Sequence, residues 1–205
     1  LKRRYGDCKD KTMFLISLYR ALGLDARPVL VSVGFHSGLN EWLPAPTPFD
    51  HAIVQLRLNG AIYWLDPTAH QKAANLVNIG RLHGGSDVLV ADPKTQRLSL
   101  IEQPPAEVYS VSEHLHLDSF DGPGTLERLV TTNGSMAENL RWEIAQTSPD
   151  EFRKNLLNSV QRTYGSAQWA KDLSIEDDRE RNQLVVRETL TVTKYPERVD
   201  GGWLL

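Results

Sequence analysis

HAIVQLRLNGAIYWLDPT, residues 51–68, is the stretch on which the fold turns. Two runs rich in aliphatic and aromatic residues flank Asn59-Gly60. That pair suits a two-residue hairpin turn, because both central positions need positive φ. Such a turn sets Leu58 opposite Ala61, and counting outward sets Ile53 opposite Asp66. His51 lies two residues before Ile53, so it shares a sheet face with Asp66 as its diagonal neighbour, roughly 7 to 8 Å away. An imidazole and a carboxylate can meet over that gap. The opposite face carries Ala52, Val54, Leu56 and Leu58 and packs, whereas His51, Gln55 and Arg57 make a partly open face.

Upstream stands RYGDCKDKTMFLISLYRALGLDARPVLV, residues 4–31, which holds the only cysteine of the 205 residues. Met13, Phe14, Leu15, Ile16, Leu18, Tyr19 and Leu22 cover most of a helical circumference over residues 9–22, so the helix is expected to be largely buried. Asp7 can accept from its first amides, Gly23-Leu24 fits a left-handed stop, and Cys8 stands at its start. VLVSV then reads as a strand, followed by a proline-rich loop, HSGLNEWLPAPTPFD, over residues 36–50. Trp42 and Phe49 in that loop either wall a substrate groove or pin the loop down. Asp50 adjoins His51 but points to the other face of a strand, which ranks it behind Asp66. Lys9 and Asp10 read as solvated residues of the helix start.

Downstream, VLVADPKTQRLSLI resembles a second hairpin with its turn near Asp92-Pro93, and Gln103-Pro104-Pro105 marks a boundary. From about Val108 the pattern becomes antiparallel β: VSEHLHLDSF, TLERLVTTNG with another Asn-Gly, and NQLVVRETLTVTKY. One helix interrupts it at about 149–164, with Ser148 as cap and Pro149 at the first position. The expected organisation is an α+β core over 1–107, then a β-rich domain with one helix over 108–205. A net charge of −3 with scattered basic residues argues against nucleic-acid partners, and no apolar run is long enough to span a membrane. The first motif arrives within ten residues of a start that is not methionine, which reads as a piece of something longer.

The chemistry centres on Cys8. A helix N-terminus lowers a thiol's pKa through free amides and the dipole, and catalysis further needs a base and a group to orient it. His51 and Asp66 supply that pair. Each residue also has an ordinary reading: a small core filler, a structural histidine and a turn-starting aspartate. His114, His116 and Asp118 alternate on one strand face, which suits a polar solvent face better than a metal site. A zinc site on Cys8 and His51 would be revealed by metal analysis; neither metal nor cofactor is expected.

Gly6-Asp7-Cys8 entering an apolar helix, LGLDARPVLV after it, His51-Ala52 opening a strand and Trp64-Leu65-Asp66-Pro67-Thr68 closing the next together resemble the transglutaminase-like superfamily of papain-like thiol enzymes. The nearest likeness is to bacterial multidomain members whose transglutaminase-like core lies between β-rich domains. The resemblance covers residues 4 to about 100 and implies a cysteine-bearing helix packed on an antiparallel sheet. It implies Cys8 as nucleophile, His51 as general base and acid, and Asp66 as the orienting carboxylate. A glutamine side-chain amide or peptide bond of a protein substrate would give a thioester, resolved by an amine or by water. The backbone N–H of Cys8 remains as an oxyanion donor. Family members often take a second donor from elements ahead of the cysteine, where this chain has seven residues. Loss of one such donor typically costs about 10² to 10³ in rate, so the chain alone is expected to be a weak catalyst. The setting implied by analogy is the bacterial envelope or periplasm. A peptide-binding or scaffold protein that keeps the fold without catalysis is the rival reading.

Overall fold

In the computed structural model, which describes residues 5–70, 75–102, 107–193, 195, 197–200 and 202–204, Asp7 opens α1 (Cys8–Ala21) with a reciprocal cap. Its carboxylate accepts from the Lys9 and Asp10 amides at 2.9 Å each, and the Asp10 carboxylate accepts from the Asp7 amide at 3.3 Å. A Cβ on Gly6 would stand 2.7 Å from Asp10 Cβ, so glycine clears the way for this cap. Asp10 is therefore part of the helix start and not merely a solvated charge. Gly23, at φ +76°, ends the turn that follows α1.

After α1 come β1 (Asp25–Val31), a single 3-10 turn (Leu39–Glu41), β2 (His51–Leu58), β3 (Ala61–Leu65), β4 (Asp87–Val90) and β5 (Ser99–Leu100). The strands form an antiparallel sheet ordered β3-β2-β1-β4-β5. The β2–β3 register is the one Asn59-Gly60 dictates: Leu58 faces Ala61 and Val54 faces Leu65, with the turn residues at φ +50° and +80°. The second hairpin is the β4–β5 pair, with Val88 opposite Ser99.

Both faces of this sheet are buried. Val29, Val31, Ile53, Val88, Val90 and Ile101 make one cluster with Trp64 against it, while Ala26, Ala52, Val54 and Leu56 are buried on the alternate positions. On the face carrying His51, Arg57 is exposed and the imidazole half-buried, but Gln55 is only 2% exposed and so is not part of an open surface. Neighbouring β4 and Ile101 supply the apolar atoms that close around Ile53. α1 packs along β1 and β2, with Thr12 Oγ1 donating to the Ala52 carbonyl at 2.9 Å and Arg20 Nε to that of Ala26 at 3.0 Å. Only Thr12 and Ile16 of α1 are buried, whereas Met13, Phe14 and Leu18 are about half exposed. The expectation of a largely buried helix is corrected for a geometric reason: a helix meets a sheet along one stripe, and apolar residues all round it leave the others outside.

The chain divides into two units, Leu1–His70 with Ile79–Ala106, and Gln71–Asn78 with Glu107–Leu205. The second contains β6 (Tyr109–Leu117), β7 (Gly124–Asn133), α2 (Gly134–Gln146), α3 (Pro149–Tyr164), β8 (Ala167–Trp169), β9 (Ser174–Asp178), β10 (Gln183–Val192) and a ribbon of β11 (Glu197–Val199) and β12 (Gly202–Leu204). Its main sheet runs β6-β7-β10-β8, with β9 also on β10. Asn75 and Asn78 belong to it through Nδ2 donation to the Glu180 carbonyl at 2.8 and 2.7 Å. α3 begins as read, with Ser148 Oγ accepting from the Glu151 amide at 3.2 Å and Pro149 at the first position.

α2 is the second helix of a domain for which one was expected. Asn133-Gly134 is not a hairpin turn: Asn133 stands at the N-cap position of α2, its side chain accepting from the Val108 amide at 2.7 Å and making no cap bond, and Gly134 at φ +58° starts the helix. The buried residues of α2 include Glu138 and Arg141, whose guanidinium reaches Asp177 at 2.7 Å and Asn182 at 2.5 Å. Ala137, Leu140 and Ile144 of α2 join Val130, Leu184 and Val186 in one apolar cluster, but the buried Glu138 and Arg141 interrupt that stripe and weaken the periodicity by which helices are read. No helix among the described residues is long and apolar enough to cross a membrane. The chain is α+β, with antiparallel sheets in both units.

Gly60 tests the turn that sets the β2–β3 register. A Cβ there meets nothing within 4 Å, so the cost of a side chain is purely conformational. Gly60→Ala is expected to lose about 1 to 2 kcal/mol in urea denaturation, and Gly60→Asn clearly less, because asparagine tolerates the left-handed region.

Candidate active site

Three segments of the first unit bring polar side chains together. His51 is the first residue of β2 and pairs with Val31 at the end of β1. Asp66 immediately follows β3, where the hairpin register carries it to the His51 end of β2. His83 comes from the turn before β4, held there as its carbonyl accepts from the Ser86 amide at 3.2 Å.

Asp66 is the hub. Its Oδ1 accepts from the Thr68 amide at 2.8 Å and from Thr68 Oγ1 at 2.6 Å. Its Oδ2 lies 2.9 Å from His51 Nε2 and 3.1 Å from His83 Nε2. The three side chains are 8 to 15% exposed. Burial alone would push the carboxyl up, but hydrogen bonds from His83, Thr68 and His51 outweigh it and hold Asp66 well below the usual carboxylate range. An ionised carboxylate only accepts, so both imidazoles present Nε2–H to it, and a neutral ring then carries its lone pair at Nδ1. His51 is in this way oriented with Nδ1 as the proton-accepting nitrogen.

Cys8, the first residue of α1, is half-buried. Its Sγ makes no hydrogen bond among the described residues, so the structure joins His51 to Asp66 but does not join either to the sulfur. Asp7 takes the amides of Lys9 and Asp10, and the Lys11 amide donates to the Asp7 carbonyl at 3.0 Å. The Cys8 N–H is the first-turn amide left without a partner among the described residues, as an oxyanion donor must be.

Trp42 and Phe49 line one cavity of about 630 Å³ together with Leu30, Leu39, Pro46 and Leu89. Trp42 also packs against Phe35, ring centroids 5.0 Å apart. The loop that holds them is clipped at both ends. Asp87 accepts from the Gly38 and Leu39 amides and from Asn40 Nδ2 at 2.9, 3.1 and 2.7 Å, and Asp50 accepts from the Val33 amide at 2.8 Å. Asp50 thus serves the loop and not His51. In the second unit His116 Nε2 lies 3.1 Å from Asp118 Oδ1 on an exposed face.

His83 escaped the sequence reading. Its only marks are two following glycines and the apolar run of β4, which place a turn there but say nothing of Asp66. No family model, curated protein or solved structure matches the chain.

Asp66→Ala strands two imidazole N–H groups and the Thr68 donors, which should cost about 1 to 3 kcal/mol at pH 7 by urea denaturation. The folded carboxyl titrates below its unfolded value of about 3.9, so its contribution is present above that pH and fades as acid is added below it. The stability gap between wild type and Asp66→Ala should accordingly narrow from pH 5 to pH 3.

Proposed function

We propose that the chain carries out thiol-dependent acyl transfer or amide hydrolysis on protein or peptide substrates, in the manner of the transglutaminase-like superfamily. The observation that carries this reading is the 2.9 Å contact between His51 Nε2 and an ionised, fully hydrogen-bonded Asp66, on the hairpin that packs against the one cysteine-bearing helix. Base and orienting acid are arranged as a nucleophile–base–carboxylate relay requires.

In this reaction His51 Nδ1 takes the proton of the Cys8 thiol, and the sulfur attacks the carbonyl carbon of an amide. The oxygen that becomes negative is met by the Cys8 N–H. As the intermediate collapses, the C–N bond breaks and the imidazolium gives its proton to the departing nitrogen, leaving a thioester on Cys8. An amine or a water molecule, deprotonated by the same imidazole, then attacks the thioester and releases the thiol. Asp66 stabilises the imidazolium in both halves and holds the ring in the Nε2–H tautomer. The cavity behind Trp42 and Phe49 offers an apolar recess for a substrate side chain.

A second reading, a peptide-binding or scaffold protein without catalysis, is favoured by one feature: the Asp7 carboxylate takes two of the amides that would otherwise support a thiolate at the helix start. Activation of Cys8 therefore falls chiefly on His51. Alkylation by iodoacetamide at pH 6 decides between the two. An activated Cys8 should react at least about 10-fold faster than a free thiol, and His51→Ala should bring it down to the free-thiol rate. Equal rates for wild type, His51→Ala and free cysteine would place the chain in the non-catalytic class.

A further inference from the structure

His83 has no place in the relay, yet it completes a group that a three-residue relay does not need. His51, Asp66 and His83 each offer one ligand atom, and these three atoms lie within 4.8 Å of one another. Both imidazoles converge on the same oxygen at 2.9 and 3.1 Å, with ring centroids 5.6 Å apart. A tetrahedral ion bound at about 2.0 to 2.1 Å from each donor needs donor atoms about 3.3 Å apart. Opening the two short contacts by a few tenths of an ångström and closing the two rings together meets that requirement. Two imidazoles and a carboxylate are a donor set for a borderline divalent ion, with the fourth position left to water. The other Asp66 oxygen is already fixed by Thr68, the kind of outer hydrogen bonding that orients a ligating carboxylate.

We infer that His51, Asp66 and His83 form a binding site for a zinc-class divalent cation, and that occupancy switches the thiol chemistry off. The second half of this inference rests on the reading of Cys8 and His51 as nucleophile and base. To ligate through Nε2 an imidazole must give up the proton there and, if neutral, carry it on Nδ1. A metal-bound His51 then has Nδ1–H where the thiol proton should go, and Asp66 is committed to the ion. Cys8 is not a ligand: the ion would hold the base and its acid, and leave the sulfur untouched.

Cobalt(II) and zinc titrations of the full chain with Cys8→Ala test the binding, since no thiolate is present to ligate. One equivalent of Co²⁺ should bind with a tetrahedral d–d spectrum and be displaced by Zn²⁺. His83→Ala should weaken zinc binding at least about 10-fold with folding checked by circular dichroism, and His83→Gln should do the same if the alanine variant unfolds. Substoichiometric or absent binding by Cys8→Ala, or undiminished affinity in a folded His83 variant, overturns the site. With the cysteine present, one equivalent of Zn²⁺ should slow Cys8 alkylation at pH 6 to the free-thiol rate in wild type but not in His83→Ala. Binding without that slowing overturns the switch, whereas a metal-free protein that alkylates no faster than free cysteine overturns the thiol reading and leaves the binding result standing.

Discussion

A carboxylate that is mostly removed from water is tolerable only if its hydrogen bonds are replaced, and Asp66 is where the first unit meets that demand. Four donors surround it, and they come from three distances along the chain. Thr68, two residues on, folds back in a local turn; His51 arrives through the pairing of β2 with β3; His83 arrives from the turn that feeds β4. The carboxylate therefore ties the end of one hairpin to the start of another. The same network that makes the ionised form stable also makes it a strong local field for any imidazolium formed at His51.

The helix start obeys a competing demand. Capping wants a carboxylate on the first amides, while a thiolate would want those amides for itself. Here the cap prevails: Asp7 and Asp10 engage each other's backbone, Gly6 makes room, and the Cys8 amide alone is left over. A thiol in this position depends on a base more than on the helix dipole. In the proposed reaction that base is the imidazole whose tautomer Asp66 sets; no hydrogen bond among the described residues reaches the sulfur.

The second unit hides its charges in a different way. Arg128 on β7 stands between Glu113 on β6 and Glu188 on β10, donating to them at 2.6 and 2.8 Å, and Tyr164 of α3 donates to Glu113 at 2.7 Å. Burial pushes the Glu188 carboxyl up against the pull of Arg128, and burial with the Glu113 charge pushes Tyr164 up to about 12. Apolar clusters around Leu126 and Leu190, and around Val130 and Val186, continue the same alternate positions of β7 and β10 on either side of this row. Such a row, which runs from the exposed Glu113 to the buried Glu188, and the buried Glu138 and Arg141 of α2 interrupt hydrophobic periodicity at positions that are themselves partly core.

What could be read along the chain was what local chemistry dictates. Asn59-Gly60 permits one tight turn, and with it the register that sets His51 beside Asp66; Asp7 and Ser148 announce helices because their side chains bond amides three residues away. Long-range packing settled the rest. Whether Met13 and Phe14 are covered depends on what lies over α1, whether Asn133-Gly134 turns back or opens α2 depends on Asn182, whose carbonyl takes the Gly134 amide, and the meeting of His83 with Asp66 depends on β4 joining β1. Those outcomes turn on contacts between residues far apart in the chain, and short-range spacing carries no information about which distant side chain will arrive.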